Sequence, residues 1–241
     1  MRKLYNFFGT LIIVLVGISI IAFFVLYGNG YSGLRVYHKA KENQIRVACV
    51  GDSITYGHGV PFWFANNYPT KLQDMLGDDY CVNNYGVSAY CVQDDSSKPY
   101  MSLDVYKDSL EFNPDIVILM LGTNDAKPYN WKGIDEFKDD YDKLINSYKS
   151  VNPNVEIYLA TLCTAFDDDP LTVESSFDIM PSIVDEISIF ISDYASENNY
   201  YLIDINSLTK DRKDLILPDL IHPNEFGAFA IANEIYQNLI K

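Results

Sequence analysis

The chain has 241 residues, room for one domain with a sizeable core plus a short tail. At 48% hydrophobic and 14% aromatic, its composition is globular, not disordered. The formal charge is −15, and residues 1–40 hold four of the 18 basic side chains and none of the 33 acids. A body that acidic repels nucleic acid and anionic headgroups, so a nucleic-acid partner is all but excluded.

Met1-Arg2-Lys3 precedes a run from Tyr5 to Tyr27 that contains no charge. About 20 apolar residues suffice to cross a bilayer as a helix, whereas a cleaved signal carries only about 7–15. The expectation is one N-terminal transmembrane helix, residues 1–27, acting as a membrane anchor or uncleaved signal. Cleavage after Gly28-Asn29-Gly30 is the alternative. Arg2 and Lys3 flank the run closely and favour an N-terminus inside. Either outcome places the body outside the cytoplasm, held at the cell membrane or secreted.

Residues 28–44 read as a polar linker, and residues 45–241 as one domain. Strands are expected at Ile45–Val50, Tyr80–Asn84, Asp115–Leu121, Val155–Leu162 and Tyr200–Ile205. Helices are expected at Tyr68–Leu76, Leu103–Phe112, Ile134–Tyr148, Phe177–Glu197 and Phe226–Ile240. The run Ile116-Val117-Ile118-Leu119-Met120-Leu121 is apolar throughout, as a strand buried on both faces should be. Alternation of strand and helix predicts an α/β fold with a five-stranded parallel sheet and helices on both faces. Chemistry is then sought beyond the carboxyl ends of the strands.

Cys49, Cys81, Cys91 and Cys163 have no metal-site spacing. Cys81 and Cys91 bracket a predicted strand and lie too far apart to pair. Cys91 and Cys163 both follow strand ends and could approach one another.

The first strand runs into Gly51-Asp52-Ser53. A serine on such a turn can be a nucleophile, or a plain cap of the next helix. The second strand ends near Asn84 and leads to Ala89, the third in Gly122-Thr123-Asn124-Asp125. After the fifth comes a loop holding Asp219-Leu220-Ile221-His222. A serine nucleophile needs a base, and histidine has the suitable pKa. His58 lies close in sequence to Ser53 but has no acid at convenient spacing. His222 has Asp219 three residues before it, able to fix its tautomer and stabilise the imidazolium. Ser53, Asp219 and His222 are therefore the catalytic candidates. Oxyanion donors could come from the Ser53 N–H, the Asn84–Tyr90 loop and the Asn124 amide. Taken singly, Asn124 could be a turn residue and Asp219-x-x-His222 an ordinary helix start.

Four such motifs, in order and on one edge, resemble the SGNH hydrolases, also called the GDSL family of esterases and lipases. The resemblance spans about residues 45–240. It implies a three-layer α/β/α sandwich with a flavodoxin-like sheet, and no cofactor or metal. It implies Ser53 as nucleophile and first oxyanion donor, Asn124 as side-chain donor, and Asp219 and His222 as partners. In the family's second motif a glycine supplies an oxyanion N–H five residues after an asparagine. Here that position is Ala89. Alanine has the N–H but resists positive φ, so a shifted donor is expected. Gly86 is the weaker substitute.

The stretch Gly122 to Trp131 is similar to a subgroup associated with sialate or xylan O-acetyl esterases. Tyr90 and Trp131 are candidate substrate-binding aromatics, with Phe62-Trp63-Phe64 and Tyr129 nearby, although plain packing explains such rings equally well. The expected reaction is ester hydrolysis, with O-acetyl groups on a glycan as the favoured substrate. A lysophospholipase, a thioesterase or an envelope glycan O-acetyltransferase using the same triad are the alternatives.

Overall fold

The structure, a computed structural model, describes residues 2–26, 37–166 and 176–240. In chain order the elements are α1 (Arg2–Leu26), β1 (Ile45–Gly51), α2 (Ser53–Tyr56), α3 (Trp63–Asn66), α4 (Tyr68–Leu76) and β2 (Tyr80–Gly86). Then come α5 (Asp104–Glu111), β3 (Ile116–Met120), α6 (Ile134–Val151) and β4 (Glu156–Ala160). The chain ends with α7 (Pro181–Asn198), β5 (Tyr201–Ile203), α8 (Ile205–Thr209) and α9 (Glu225–Leu239).

The five strands form one sheet in the order β2-β1-β3-β4-β5. Every pairing is parallel. That order is the flavodoxin-like one, with the switch point between β1 and β3. Side chains alternate across the sheet, and β1 shows why two cores result. Ala48 and Val50 enter one cluster, with Phe137, Tyr141 and Leu144 of α6 and Val184, Ile187 and Ile191 of α7. Val47 and Cys49 enter the other, with Tyr68 and Leu72 of α4 and Ile231 and Ile235 of α9. Helices thus cover both faces, the expected three layers. β3 is buried along its whole length.

Local chemistry sets the boundaries. The expected helix from Phe177 begins only at Pro181, its first residue. Phe177 and Asp178 have φ of 68° and 57°, which no helix continues. β5 is shorter than expected because Asp204 caps α8, its side chain accepting the Ser207 N–H. The short helices α2, α3 and α8 carry no amphipathic period and were not expected.

Residues 2–26 do form a helix. Among the described residues, however, no helix is long and apolar enough to cross a membrane, so the expected span has no support there.

All four cysteines are free and buried. Cys91 and Cys163, which the sequence allowed to approach one another, form no disulfide. Cys163 belongs to the core on the α4–α9 side. Cys91 is tied into the 91–100 loop, its N–H on Lys98 O and its carbonyl accepting from Tyr100 N–H, both 2.9 Å.

Candidate active site

β1 delivers the first group. Its end turns through Asp52 into α2, and Asp52 is the N-cap: Oδ1 accepts the Ile54 N–H at 2.9 Å. Ser53 is therefore not the cap but the first helical residue, whose N–H has no partner within the helix. The turn needs room below it. A Cβ on Gly86 of β2 would stand 2.8 Å from Asp52 O and closer still to Tyr56 N, so a side chain there would displace α2.

The loop before α9 delivers the second group. Asp219 organises it through three hydrogen bonds. Oδ1 accepts the Ile221 and His222 N–H groups at 3.1 and 3.0 Å, and Oδ2 meets His222 Nδ1 at 2.7 Å. Leu220 between them adopts φ 66°. That left-handed backbone costs a leucine about 1 kcal/mol or more, and is held where Leu220 O accepts the Phe166 N–H at 2.9 Å. Burial pushes the Asp219 carboxyl up, but the hydrogen bonds from His222 and Ile221 outweigh it and hold it below the usual carboxylate range.

The two groups meet. Ser53 Oγ lies 2.8 Å from His222 Nε2, across 169 positions of sequence. With Nδ1–H donating to Asp219, Nε2 is left to accept the serine proton. His222 is the predicted base. His58 is also present: its ring centroid lies 4.6 Å from that of His222.

Ser53, Ala89, Asn124 and His222 line one pocket of about 450 Å³, whose walls add His58, Thr123, Lys127, Phe177 and Ile221. Ala89 keeps φ 70°, the conformation a glycine would take, so the expected shift of its donor does not occur through a change of backbone region. The Asn124 amide gives one hydrogen to Tyr90 O at 3.3 Å, and an amide nitrogen has a second to offer.

Two residues that the sequence did not single out hold these donors. Asp125 is fully buried and binds the 89–93 loop, Oδ2 on Val92 N–H and Oδ1 on Gln93 N–H, each at 2.9 Å. Burial pushes its carboxyl up to about 7, against those backbone hydrogen bonds. Asn130, 1% exposed, donates to Asn124 O at 2.8 Å and accepts the Ser97 N–H at 3.0 Å. The one signal for Asn130 was its place between two aromatics in the loop that carries Asn124.

The predicted aromatics are elsewhere. Neither Tyr90 nor Trp131 lines the pocket. Both are half-buried against the core, Trp131 with its ring 6.1 Å from Phe137. Trp63 stacks on Tyr56 at 4.4 Å in a separate depression, with Phe64 beside it. Tyr129 is exposed. Among the described residues, no cluster of His, Cys, Asp and Glu is placed to hold a metal.

Residues 49–228 match the model of the GDSL-like lipase/acylhydrolase family. The chain belongs to this family. An acetylxylan esterase of Xylanibacter ruminicola is 36% identical over 216 residues, covering 81% of this chain and 43% of that protein. The chain thus spans less than half the length of that curated relative. Among solved structures, a carbohydrate acetylesterase from Sinorhizobium meliloti superposes with a TM-score of 0.64 at 19% identity, covering 82% of this chain and 99% of that one. A putative arylesterase from Agrobacterium tumefaciens reaches 0.67 at 18% identity, over 82% and 99% of the two chains. These two likenesses are of fold. The motifs Gly51-Asp52-Ser53, Gly122-Thr123-Asn124-Asp125 and Asp219-Leu220-Ile221-His222 all fall within the span that this family's model matches.

Proposed function

We propose that this protein is a carboxylic ester hydrolase that removes short acyl groups, O-acetyl above all, from a carbohydrate. The observation that carries the reading is the continuous path Ser53–His222–Asp219, at 2.8 and 2.7 Å, opening on a pocket that also presents Ala89 and Asn124.

Ser53 Oγ attacks the ester carbonyl while His222 Nε2 takes its proton. The carbonyl oxygen becomes an oxyanion, facing the N–H groups of Ser53 and Ala89 and the second hydrogen of the Asn124 amide. His222 returns the proton to the departing alcohol and leaves an acyl-serine. Water then attacks the acyl carbon, again giving its proton to His222, and the acid leaves as Ser53 Oγ recovers that proton. Asp219 stays ionised and steadies the imidazolium at each step.

The substrate class draws support from the 36%-identical relative, named an acetylxylan esterase. The short acyl group draws on the same relative, whose name specifies acetyl. Hydrolysis of p-nitrophenyl esters of two to sixteen carbons, beside acetylated xylan, tests both points. Activity that peaks at two carbons and vanishes in Ser53→Ala is expected. Full activity in that variant, or a preference for long chains, contradicts the reading.

Residues 1–27 are proposed to direct or anchor the enzyme outside the cytoplasm, with 28–44 as linker and 45–241 as the catalytic domain. The uncharged run after Met1-Arg2-Lys3 supports this. Digestion of the body by protease added to intact cells tests it.

A further inference from the structure

His222 meets more than its two hydrogen-bond partners. Its ring centroid lies 4.6 Å from that of His58, tilted by 49°, and 5.5 Å from that of Phe177, at 89°. Phe177 in turn stands 6.4 Å from His58, also at 89°. All three distances lie within the range of paired rings. The centroids form a triangle, so His58 and Phe177 meet His222 from different directions. Both also line the pocket. His58 is not a rival base, because Ser53 Oγ is engaged by His222 Nε2.

The turn after α2 fixes where His58 stands. Its N–H donates to Ser53 O at 2.9 Å, beside the Gly57 N–H at 3.0 Å. The residue that carries the nucleophile thus also holds the backbone of this ring. The turn needs Gly57 at φ 96°, where a Cβ would come 2.6 Å from Asn67 Cβ. Asn67 is fixed in its own right as the cap of α4, accepting the Thr70 N–H at 2.8 Å.

The reaction makes a demand that such a ring meets. The bonds from His222 to Ser53 and Asp219 set where its two nitrogens point, but hydrogen bonds tolerate some misalignment, and the ring is left able to rock about the line between its partners. Once Ser53 Oγ carries the acyl group it has no proton to give, and one of those two anchors is gone. The ring must still stand in line with the water whose proton it takes. Its contacts with His58 and Phe177 do not involve Ser53 Oγ and remain.

From these contacts we infer that His58 is a positioning residue for the second half of the reaction: its ring holds His222 in line for the water that releases the acyl group. It takes no proton itself. The inference rests on the acyl-serine reading and adds a residue to it.

Acylation and deacylation are separable with p-nitrophenyl acetate, whose good leaving group favours a slow second step. In the full-length protein, His58→Ala is expected to lower kcat about tenfold and KM by a similar factor, leaving kcat/KM, which reports acylation, within about twofold. Enzyme quenched in acid at saturating ester should carry more acetyl on Ser53 in this variant than in the wild type, as counted by mass spectrometry. His58→Phe keeps a ring without nitrogens and should restore most of kcat. His58→Gln keeps a polar group without a ring and should resemble His58→Ala. A merely structural role would lower kcat/KM together with the melting temperature and would not load Ser53 with acetyl. An unchanged kcat, a fall in kcat/KM as large as that in kcat, an acetyl load no higher than in the wild type, or rescue by Gln and not by Phe overturns the inference and leaves the esterase reading standing. Absence of Ser53-dependent hydrolysis of any ester by the wild type removes both.

Discussion

The side-chain amide of Asn130 donates to the main-chain carbonyl of Asn124 at 2.8 Å. Through that bond a residue with no access to substrate sets where the Asn124 amide points. Its other atoms are committed too, to Ser97 N–H and toward Cys91 Sγ at 3.3 Å.

Asn130→Leu should therefore cost activity and stability together. It leaves the Asn124 carbonyl and the Ser97 N–H without partners, a loss of about 1–3 kcal/mol for each group kept from water. A misplaced oxyanion donor lowers kcat by about tenfold or more while KM moves little. Steady-state kinetics on p-nitrophenyl acetate, with urea unfolding alongside, check both. If KM alone changes, Asn130 is not acting through the donor.

Ala89 holds φ 70°, where a Cβ is strained. Ala89→Gly relieves about 1 kcal/mol of that strain and gives back part of it as chain entropy in the unfolded state. The expected result is a melting temperature within a few degrees of the wild type and a kcat that is equal or higher. Ala89→Val should lose most activity, because a β-branched residue is far less tolerant of this backbone. A glycine variant with much lower kcat would show that the Ala89 methyl itself contacts substrate.

The strand–helix alternation was enough to place the sheet, because each strand is a short apolar run and each long helix has an amphipathic stripe. The Ser53–His222–Asp219 set was legible for a different reason: an acid three residues before a histidine can reach its ring within one turn of chain, and the structure uses that reach. What was not legible depends on contacts between distant segments. Asp125 looked like one more turn acid, and its task is visible only once Val92 and Gln93 are folded over it. Trp131 looked like a substrate platform until α6 placed Phe137 against it. Phe177 was assigned to a helix by its apolar character, but its backbone is left-handed and its ring stands in the pocket wall.

Asp52 and Asp219 both lie close to the reacting groups and should respond differently to substitution. Asp52→Asn keeps an oxygen to cap Ile54 N–H, so kcat is expected to fall by less than about tenfold. Asp219→Ala removes the ring partner and two loop hydrogen bonds at once, and a loss of roughly a thousandfold is expected. Burst kinetics with p-nitrophenyl acetate separate acylation from deacylation in each. The opposite ranking would make Asp52 the triad acid.

Asp125 links the oxyanion loop to pH. Its folded pKa is raised to about 7, above the ordinary value near 4, because burial penalises the charged form. The sign follows: a carboxyl that prefers its proton in the folded state contributes stability below pH 4, and that contribution is lost as pH rises from about 4 through about 7. The slope from this one group is at most about 1.4 kcal/mol per pH unit. Asp219 works in the opposite sense, since its lowered pKa contributes stability above pH 4 and loses it in more acid solution. The two effects occupy different windows. Urea unfolding at intervals from pH 4 to 8 should show stability falling toward neutrality in the wild type, with a shallower fall in Asp125→Asn. That variant should also be less stable throughout, because its amide can accept from only one of Val92 and Gln93 and turns a donor toward the other. An unchanged slope in Asp125→Asn would assign the pH dependence to another group.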